Sequence, residues 1–389
     1  MTCYDFDSVI DRTGTFCTQW DYVRDRFGTD GLLPFTISDM DFAVSDKIYE
    51  AVTKRVSHPV YGYSRWRNEE YLGAIVRWYG HRFACEVRES SIYYSPSVMY
   101  SVAKMIQMLC EPGDGVTMFT PGYDSFFSVI RNNERRIAEC ELTNDRGRYV
   151  IDFERLGAAL TESKVLLLCN PHNPTGRVWT KEELNKIIEL AERYGVAIIS
   201  DDIHMDIAYG RRTTPVLALD ASVPIVVCSS PSKSFNTPSL GGSYVIIPDG
   251  ELGERFERMT RYTEYLNSPS ILGVVSTIAA YESEGWLEEL LAYLEGNLRF
   301  SINYISREMP LMDVSMPEGC YFLWTGFSRM GVGDKDMQQA LIEQGHVAIM
   351  PGTTYGASCY LRFHVGCPRS KVERGLAGMK RAYDTLISC

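Results

Sequence analysis

Short apolar segments alternate with helical patterns through the middle of the chain, and this alternation strongly limits the folds available to it. The apolar segments lie at 116–119, 164–169, 196–200, 225–228 and 244–247. Between two of them, Thr180 and Glu183 form a capping-box pattern ahead of apolar residues at helical spacing, which predicts a helix over 180–194. Apolar strands alternating with helices indicate an α/β fold, in which a mostly parallel sheet is covered by helices on both faces.

The pattern changes after about residue 285, where a long helical pattern runs from Trp286 to about Arg307. Strand patterns follow at 321–324, 347–350 and 360–365, with helical patterns at about 334–344 and from Ser370 onward. These elements predict a smaller α+β domain. We therefore expect a large domain at 46–285 and a small domain made of residues 1–45 and 286–389.

Charge and hydropathy restrict the classes of partner. The chain has 389 residues and a net charge of −11, with 45% hydrophobic and 23% charged residues. The acidic balance argues against nucleic acid as a partner, because nucleic-acid sites are usually basic. No stretch approaches the roughly 18 uninterrupted apolar residues that a membrane-spanning helix needs, so we expect no membrane association. With nucleic acid and membranes excluded, we expect a small molecule as the partner.

The cysteines and the first residues bear on the compartment. The 11 cysteines are scattered along the chain and include no CxxC pair. This pattern indicates neither a disulfide framework nor a zinc site, and it fits a reducing cytoplasm. The first residues are acidic and polar, without the basic and apolar regions of a secretion signal. We expect a cytoplasmic protein without a metal site.

Polar groups follow three of the predicted strands. The sequence NPHNPTG occupies 170–176, DDIH occupies 201–204, and Lys233 lies in SSPSK after the strand at 225–228. Each group alone has a simpler interpretation: a proline-stiffened loop, an aspartate in a turn, a lysine at the surface. Because ligands bind at the carboxyl ends of strands in open α/β sheets, their order predicts that an amide, a carboxylate and an amine meet in one crevice.

The order NPxNPTG, then DxxH, then SxxK resembles the fold-type-I pyridoxal-phosphate enzymes, the aspartate aminotransferase superfamily. The spacings also fit, with 28 residues from Asn173 to Asp201 and 32 from Asp201 to Lys233. The chain further resembles the MalY/PatB-type cystathionine β-lyases, or C–S lyases, in the segments HPVYGYSRW, TPGYDSFF, NPHNPTGRVW, SDDIHMD, SPSKSFN and LRFHVGCPRS. This resemblance covers nearly the whole chain, and it implies a large cofactor-binding domain with a mostly parallel, seven-stranded type of sheet.

The resemblance implies roles for five residues around the cofactor ring. Lys233 supplies the amine that the aldehyde of pyridoxal phosphate requires, which explains a buried lysine between two strands. Asp201 keeps the pyridine nitrogen protonated, and Asn173 donates to the phenolic oxygen. Tyr123 stacks on the ring. His204 is a supporting neighbour of the ring, or alternatively a packing residue of the core.

The phosphate of the cofactor needs a helix N-terminus. The pattern that starts at Ser95 predicts a turn and a helix, so the N–H groups of Val98 and Met99 are expected to face the phosphate. The resemblance adds the hydroxyl of Ser230, assisted by Ser232. Many aminotransferases carry an arginine about eight residues after the lysine, whereas this chain has Gly241 there. Dipoles and hydroxyl groups must therefore neutralise the phosphate.

A residue from a second subunit is expected to complete the phosphate site. In the family, the tyrosine that corresponds to Tyr63 of YGYSRW reaches across from the neighbouring chain. Tyrosine, tryptophan and arginine are also the residues that concentrate binding energy at interfaces, and they are frequent around Tyr63. We therefore expect a homodimer in which Tyr63 contacts the phosphate in the other subunit.

The substrate carboxylate calls for the paired donors of an arginine. Arg362 in YLRFHVG aligns with the family's carboxylate-binding arginine, and Arg369 in CPRS is its nearest rival. The segment ISDMDF resembles a substrate-lining segment of the family, in which the backbone of Ser38 is a candidate contact.

The cofactor permits several reactions. The resemblance implies α,β-elimination from L-cystathionine, or from L-cysteine and other S-substituted cysteines, to a thiol, pyruvate and ammonia. An aminotransferase is the alternative enzyme, because both reactions begin with proton removal from the α-carbon by Lys233. A regulatory protein that uses this fold to bind a transcription factor is the alternative outside catalysis.

Overall fold

The computed structural model describes residues 4–388 of the chain. Its strands are β1 (Leu33–Phe35), β2 (Ile92–Ser95), β3 (Gly115–Thr120), β4 (Arg136–Glu141), β5 (Thr143–Asp145), β6 (Arg148–Val150), β7 (Ser163–Cys169), β8 (Ala197–Asp201), β9 (Ile225–Ser229), β10 (Ser243–Ile246), β11 (Phe322–Gly326), β12 (Val347–Pro351) and β13 (Tyr360–His364). Its α-helices are α1 (Val23–Phe27), α2 (Asp46–Ser57), α3 (Glu69–Phe83), α4 (Val98–Leu109), α5 (Asp124–Asn132), α6 (Phe153–Leu160), α7 (Lys181–Tyr194), α8 (Gly250–Glu257), α9 (Ile271–Tyr281), α10 (Glu284–Glu308), α11 (Asp334–Glu343) and α12 (Arg369–Ile387). None of the helices in this described part is both long and apolar enough to cross a membrane.

Seven strands form the largest sheet, in the order β2-β10-β9-β8-β7-β3-β4. The strands from β4 to β9 in this order run parallel, and β10 is antiparallel to both of its neighbours. Along β7, Val165 and Leu167 belong to one hydrophobic core, whereas Leu166 and Leu168 belong to another. Successive side chains of a strand point to opposite faces, so this sheet is covered on both faces, as the apolar segments predict.

A second sheet has four strands in the order β1-β12-β13-β11. The first of these comes from the amino-terminal part of the chain: Leu33 pairs with Val347 and Phe35 with Ile349 in a parallel register. The other pairings in this sheet are antiparallel. The division at residues 45 and 285 remains a prediction, but this pairing supports a return of the amino-terminal segment to the carboxyl-terminal module.

The helix between β7 and β8 forms for reasons that are local in sequence. The Thr180 hydroxyl accepts the N–H of Glu183, and the Glu183 carboxylate accepts the N–H of Thr180, which completes the predicted capping box. Gly195 ends the helix with a φ of 65°, a left-handed conformation that glycine adopts readily. Its apolar face, which includes Leu184 and Ile188, is buried, and the chain then re-enters the sheet at β8.

Candidate active site

Sheet register brings three chain segments together at one edge. Cys169 at the end of β7 pairs with Asp201 at the end of β8, and Asp201 pairs with Cys228 near the end of β9. The backbone N–H of Asn170 also donates to the Asp201 carbonyl at 3.0 Å. The loops that carry Asn173, Asp201 and Lys233 therefore leave the sheet side by side, as the sequence predicts.

Asp201 is buried at the bottom of this crevice, with 3% of its surface exposed. Its Oδ1 accepts the N–H of Ile203 at 3.1 Å. Burial raises the pKa of Asp201 to about 7, and the Ile203 hydrogen bond and the charge of Lys233 oppose this rise. The carboxyl group can therefore gain or lose a proton near neutral pH, and a cationic partner would hold it ionised.

Lys233 lies in the turn after β9, with only part of its surface exposed. Its amine is close enough to Asp201 and Arg362 for their charges to act on it, which places the side chain in the crevice. Burial lowers the pKa of the Lys233 ammonium, and Asp39 and Asp201 partly offset that effect. The result is an amine that loses its proton more readily than a surface lysine.

Asn173 and Arg362 join the two sheets. Arg362 lies on β13, and its Nη1 donates to Oδ1 of Asn173 at 3.1 Å. Both side chains are almost completely buried, at 2% and 3% exposure. Because Asn173 accepts with its oxygen, its NH₂ group remains available as a donor to a bound molecule.

Packing holds the Arg362 guanidinium in place. Its Nη2 donates to the Thr36 carbonyl at 2.7 Å, and its carbon lies 4.2 Å from the ring centre of Phe322 and 4.7 Å from that of Tyr355. Arginine stacks favourably on aromatic rings, and this fixes the plane of its donors. Its Nε has no hydrogen-bond partner within residues 4–388, so the group retains donor capacity for an anion.

The rival arginine lies elsewhere. Arg369 is the first residue of α12, and its Nε donates to Oδ1 of Asn297 at 2.7 Å. Its guanidinium also lies 4.4 Å from the ring centre of Phe300. These contacts bind Arg369 to α10, whereas Arg362 contacts the loop of Asn173.

Tyr123 and His204 supply the aromatic surroundings. Tyr123 directly precedes α5; burial raises the pKa of its phenol, and the charges that act on it include Asp201 and Arg362. The His204 ring packs edge-on against Phe322 at 5.8 Å. Burial lowers the pKa of His204 to about 3, so its imidazole stays neutral. Its Nδ1 has no partner in the described part of the chain.

The amino terminus of α4 forms the other end of the predicted cofactor site. Ser97 caps the helix by accepting the N–H of Tyr100 at 3.1 Å. Val98 and Met99 are the first helical residues, and N–H groups of a first turn have no partner inside the helix. These two N–H groups are therefore suited to an anion, which is consistent with their predicted role.

The serines of the Lys233 turn are already engaged. Ser230 donates its hydroxyl to the Gly242 carbonyl at 2.6 Å and accepts the N–H of Ser232 at 3.1 Å. Both serines are buried. The single hydroxyl proton of Ser230 cannot serve Gly242 and a phosphate at once, so binding of a phosphate requires the hydroxyl to rotate.

Ser38 and Tyr63 lie in different surroundings. Ser38 is buried, and its carbonyl accepts the hydroxyl of Tyr321 at 2.9 Å. Tyr63 is 100% exposed and lines a surface cavity with Arg65 and Trp66. Within its own chain, Tyr63 therefore does not join the crevice.

Sequence reasoning missed several side chains that shape the crevice. Phe322 and Tyr355 enclose Arg362, but a strand of apolar and aromatic residues gives no sign of which ring will face an arginine. Asp39 was also missed, although it acts on Lys233 and lies in the segment ISDMDF. The two acidic residues in that short segment were the available signal.

The residues present fit pyridoxal phosphate. They provide an amine for its aldehyde, a carboxylate for its ring nitrogen, an amide for its phenolic oxygen, and a helix amino terminus for its phosphate. The partnerless buried atoms of His204 and Arg362 show that the crevice retains hydrogen-bonding capacity for a bound group. Residues 4–388 contain no cluster of three or more metal-ligating side chains.

The chain is similar to known proteins over almost its full length. Residues 30–378 match the family described as aminotransferase class I and II. The chain is 42% identical to protein MalY of Escherichia coli (strain K12) over 384 residues, which cover 97% of this chain and 98% of MalY. It is 35% identical to the cystathionine β-lyase PatB of Bacillus subtilis (strain 168) over 386 residues, which cover 97% of this chain and 99% of PatB.

The fold is similar to that of a solved carbon–sulfur lyase. The pyridoxal-phosphate-bound C–S lyase from Staphylococcus hominis matches with a TM-score of 0.92 at 28% identity. The match covers 97% of this chain and 98% of the other. Both comparisons therefore find carbon–sulfur lyases: PatB by sequence and the Staphylococcus hominis protein by fold.

Proposed function

The chain belongs to the class I and II aminotransferase family, and from this we propose that it is a pyridoxal-phosphate-dependent carbon–sulfur β-lyase. It cleaves L-cystathionine, or L-cysteine and S-substituted cysteines, by α,β-elimination to a thiol, pyruvate and ammonia. The observation that carries the proposal is the convergence of Lys233, Asp201, Asn173 and Arg362 in one crevice.

The chemistry that pyridoxal phosphate supplies when bound is an electron sink for the substrate's α-carbon. Asp201 would hold the proton at the ring nitrogen, and its burial would make this pairing strong because an isolated charge there is costly. Asn173 would hold the ring through its NH₂ group, and Tyr123 would pack against the ring. His204 stays neutral and supports the ring without adding a charge.

Lys233 is the group that moves the proton at the substrate's α-carbon. Its pKa is lowered by burial, so a larger fraction of the amine is neutral and able to accept a proton near neutral pH. The thiolate then leaves from the β-carbon. Proton removal and departure of sulfur both depend on the substrate being held in one orientation.

Arg362 supplies that orientation by binding the substrate's α-carboxylate. The rings of Phe322 and Tyr355 fix the plane of the guanidinium, and its Nε remains without a partner within residues 4–388. A fixed, planar donor set suits a carboxylate. The Ser38 segment lies next to it through Thr36, whose carbonyl accepts from Arg362.

The aminotransferase alternative begins with the same residues, so it is the nature of the relatives that favours the lyase. PatB is a cystathionine β-lyase by name, and the Staphylococcus hominis protein is a C–S lyase. The scattered cysteines of the chain support a place in the cytoplasm.

The enzyme is proposed to act as a homodimer in which Tyr63 of each chain reaches the phosphate site of the other. Exposed apolar or aromatic side chains surround Tyr63 in sequence, including Val60 and Tyr61 at 62% and 61% exposure. Such a concentration of exposed aromatic surface is typical of a protein interface. Complete exposure of Tyr63 in one chain supports a role in a second chain.

The deciding experiment incubates the purified enzyme, loaded with pyridoxal phosphate, with L-cystathionine. We expect equimolar pyruvate and thiol, without any keto-acid acceptor. Production of glutamate or another amino acid that requires a keto-acid acceptor, without pyruvate release, would indicate the aminotransferase. The Lys233→Ala variant is the control: it should lose both activity and the visible absorption band of the lysine-bound cofactor.

A further inference from the structure

A cavity of about 390 Å³ adjoins the turn that carries Lys233. Its walls are mostly apolar and include Phe42, Ile48 and Val52. Three charged side chains, those of Arg12, Asp39 and Asp41, also line it, which is unusual for an apolar cavity. None of these charges belongs to the predicted cofactor site, and Arg12 is ion-paired with both aspartates.

The cavity is joined to the catalytic turn through Asn236. This residue follows Lys233 by three positions, and its Nδ2 donates to the carbonyls of Met40 at 2.9 Å and Phe42 at 2.8 Å. Its Oδ1 accepts the N–H of Met40 at 2.9 Å. Asp39 is therefore fixed relative to Lys233. Asp39 is also close enough to Lys233 to affect the pKa of its ammonium group. Burial lowers this pKa, and the negative charge of Asp39 raises it.

Asp39 and Asp41 differ in the number of hydrogen bonds that they accept. Asp41 is buried, and it accepts from Arg12 at 2.8 Å, Trp20 at 3.1 Å and Lys371 at 2.5 Å. Its role is to bind the amino-terminal segment to α12.

Asp39 is partly exposed and accepts only from Arg12 and, at 3.3 Å, from Gln19 within residues 4–388. A carboxylate can accept about four hydrogen bonds, so Asp39 can bind a further donor.

Arg12 also has unused capacity. Its Nη1 donates to the Met40 carbonyl and to Asp41, and its Nη2 donates to Asp39. A guanidinium carries five N–H donors, so about two remain for another acceptor. Arg12 and Asp39 are thus paired with each other, and each can still contact a molecule of opposite charge.

We propose that Arg12 and Asp39 bind the distal amino-acid group of a thioether substrate, with Arg12 contacting its carboxylate and Asp39 its ammonium. This inference rests on the proposed lyase activity and names the substrate class of the same site. The charges of Arg12 and Lys371 balance those of Asp39 and Asp41, so the site is neutral overall. A neutral site with both signs of charge favours a zwitterion over a simple anion or cation.

The apolar walls fit the rest of such a substrate. In L-cystathionine, a thioether and two methylene groups separate the reacting carbon from the distal zwitterion. Apolar side chains such as Phe42 and Val52 suit those methylene groups, and the charged pair suits the zwitterion. An S-alkyl cysteine would gain only the apolar contacts, so we infer selectivity for L-cystathionine.

The test compares kcat/KM, measured by pyruvate release, for four substrates of the loaded enzyme. They are L-cystathionine, S-(3-aminopropyl)-L-cysteine, S-(3-carboxypropyl)-L-cysteine and S-ethyl-L-cysteine, which carry both, one or neither of the distal charges. Asp39→Asn should lower the ratio of L-cystathionine to S-ethyl-L-cysteine by about 10- to 100-fold, as loss of a charged hydrogen bond predicts. The same substitution should lower kcat/KM for the aminopropyl compound by a similar factor and leave kcat/KM for the carboxypropyl compound unchanged.

Arg12→Gln should have the opposite effect: it should lower kcat/KM for the carboxypropyl compound and leave kcat/KM for the aminopropyl compound unchanged. The ratio of kcat/KM for L-cystathionine to that for S-ethyl-L-cysteine reports only on binding of the distal group. Any change that the Asp39 substitution causes at Lys233 affects all four substrates alike. Glu50→Gln is the matched control: it removes an exposed carboxylate from α2 outside the cavity, and it should leave the ratio unchanged.

Two outcomes would overturn the inference and are distinguishable. Equal losses on all four substrates would mean that the pair only holds the amino-terminal segment in place, while the lyase activity itself stands. A wild-type enzyme that releases pyruvate from none of the four would remove the proposed function and this inference with it. Thermal midpoints of the variants separate either result from a failure to fold.

Discussion

Arg362 donates a hydrogen bond of 3.1 Å to Asn173 across 189 positions of sequence. This bond ties β13 of the four-stranded sheet to the loop after β7 of the seven-stranded sheet. It places the predicted carboxylate-binding group beside the predicted cofactor-binding amide. The relative position of the two sheets therefore determines the geometry of the candidate site.

Replacement of Arg362 by lysine should impair substrate binding more than cofactor binding. Lysine keeps the charge but loses the planar donor set that the rings of Phe322 and Tyr355 hold in place. We expect kcat/KM for L-cystathionine to fall by about 100-fold, mainly through KM, while the visible absorption of the cofactor remains. Arg369→Lys serves as the control and should stay close to wild type. An unchanged KM in Arg362→Lys would reject Arg362 as the carboxylate-binding residue.

The stability of the cofactor-free protein should depend on Asp201. Burial raises its pKa from an ordinary 3.8 to about 7, so between about pH 4 and 7 the folded state binds a proton that the unfolded state has lost. This contribution to stability is lost as pH rises through that window. Asp201→Asn removes the effect, so this variant should gain stability relative to wild type as pH rises from 4.5 to 8.

Thermal midpoints of the cofactor-free proteins across this pH range provide the measurement. Asp220→Asn changes an exposed aspartate on the surface and should keep the pH dependence of wild type. Parallel pH curves for wild type and Asp201→Asn would contradict the prediction.

Gly176 should tolerate a methyl group poorly. Its φ is +70°, and a Cβ there would lie 2.4 Å from Cβ of Pro317 and 2.9 Å from the carbonyl oxygen of Gly319. Gly176→Ala should therefore cost about 2–4 kcal/mol, from the strained backbone plus the clash, and shift the Asn173 loop. For a chain of this size, the thermal midpoint should fall by about 2–5 °C.

The control for Gly176 is Gly195→Ala. Gly195 has a φ of +65°, but a Cβ there would meet nothing within 4 Å. This control carries the backbone strain alone and should lower the midpoint by about 1–2 °C, with normal activity. Equal effects of the two substitutions would show that the contact with Pro317 is easily relieved.

The dimer can be tested by mixing inactive variants. Tyr63→Ala and Lys233→Ala each leave a different part of the site intact, so a mixed dimer contains one complete site if Tyr63 acts across the interface. Random exchange makes half of the dimers mixed, so activity should return to roughly a quarter of wild type.

Lys233→Ala mixed with Asp201→Ala is the matched control for this experiment. Both residues act in the crevice of their own chain, so neither site of that mixed dimer is complete and no activity should return. If subunits exchange and the Tyr63→Ala mixture also stays inactive, Tyr63 does not act in the partner's site.

Much of the fold is local in origin and could be predicted. The strand at 225–228 extends by a single residue to Ser229, and the helix at 180–194 has the capping box that Thr180 and Glu183 predict. Periodicity and caps arise from hydrogen bonds between residues a few positions apart. The sequence is sufficient to indicate them.

The order of the motifs also sufficed to indicate which loops form the crevice. Asn173, Asp201 and Lys233 each follow a strand of one parallel sheet, and the carboxyl ends of such strands lie at the same edge. This conclusion needs only the adjacency of these strands in the sheet, and it does not depend on how side chains pack.

The resemblance favours Arg362 over Arg369, which lies seven positions away, but only the tertiary structure shows what each arginine contacts. One contacts Asn173, and the other contacts Asn297 on α10. Likewise, the place of Asp39 beside the Lys233 turn depends on hydrogen bonds to Asn236, 196 positions from Met40. Such contacts depend on how the two sheets pack together, and local sequence patterns carry no information about that packing because the energy that fixes it comes from residues distant in the chain.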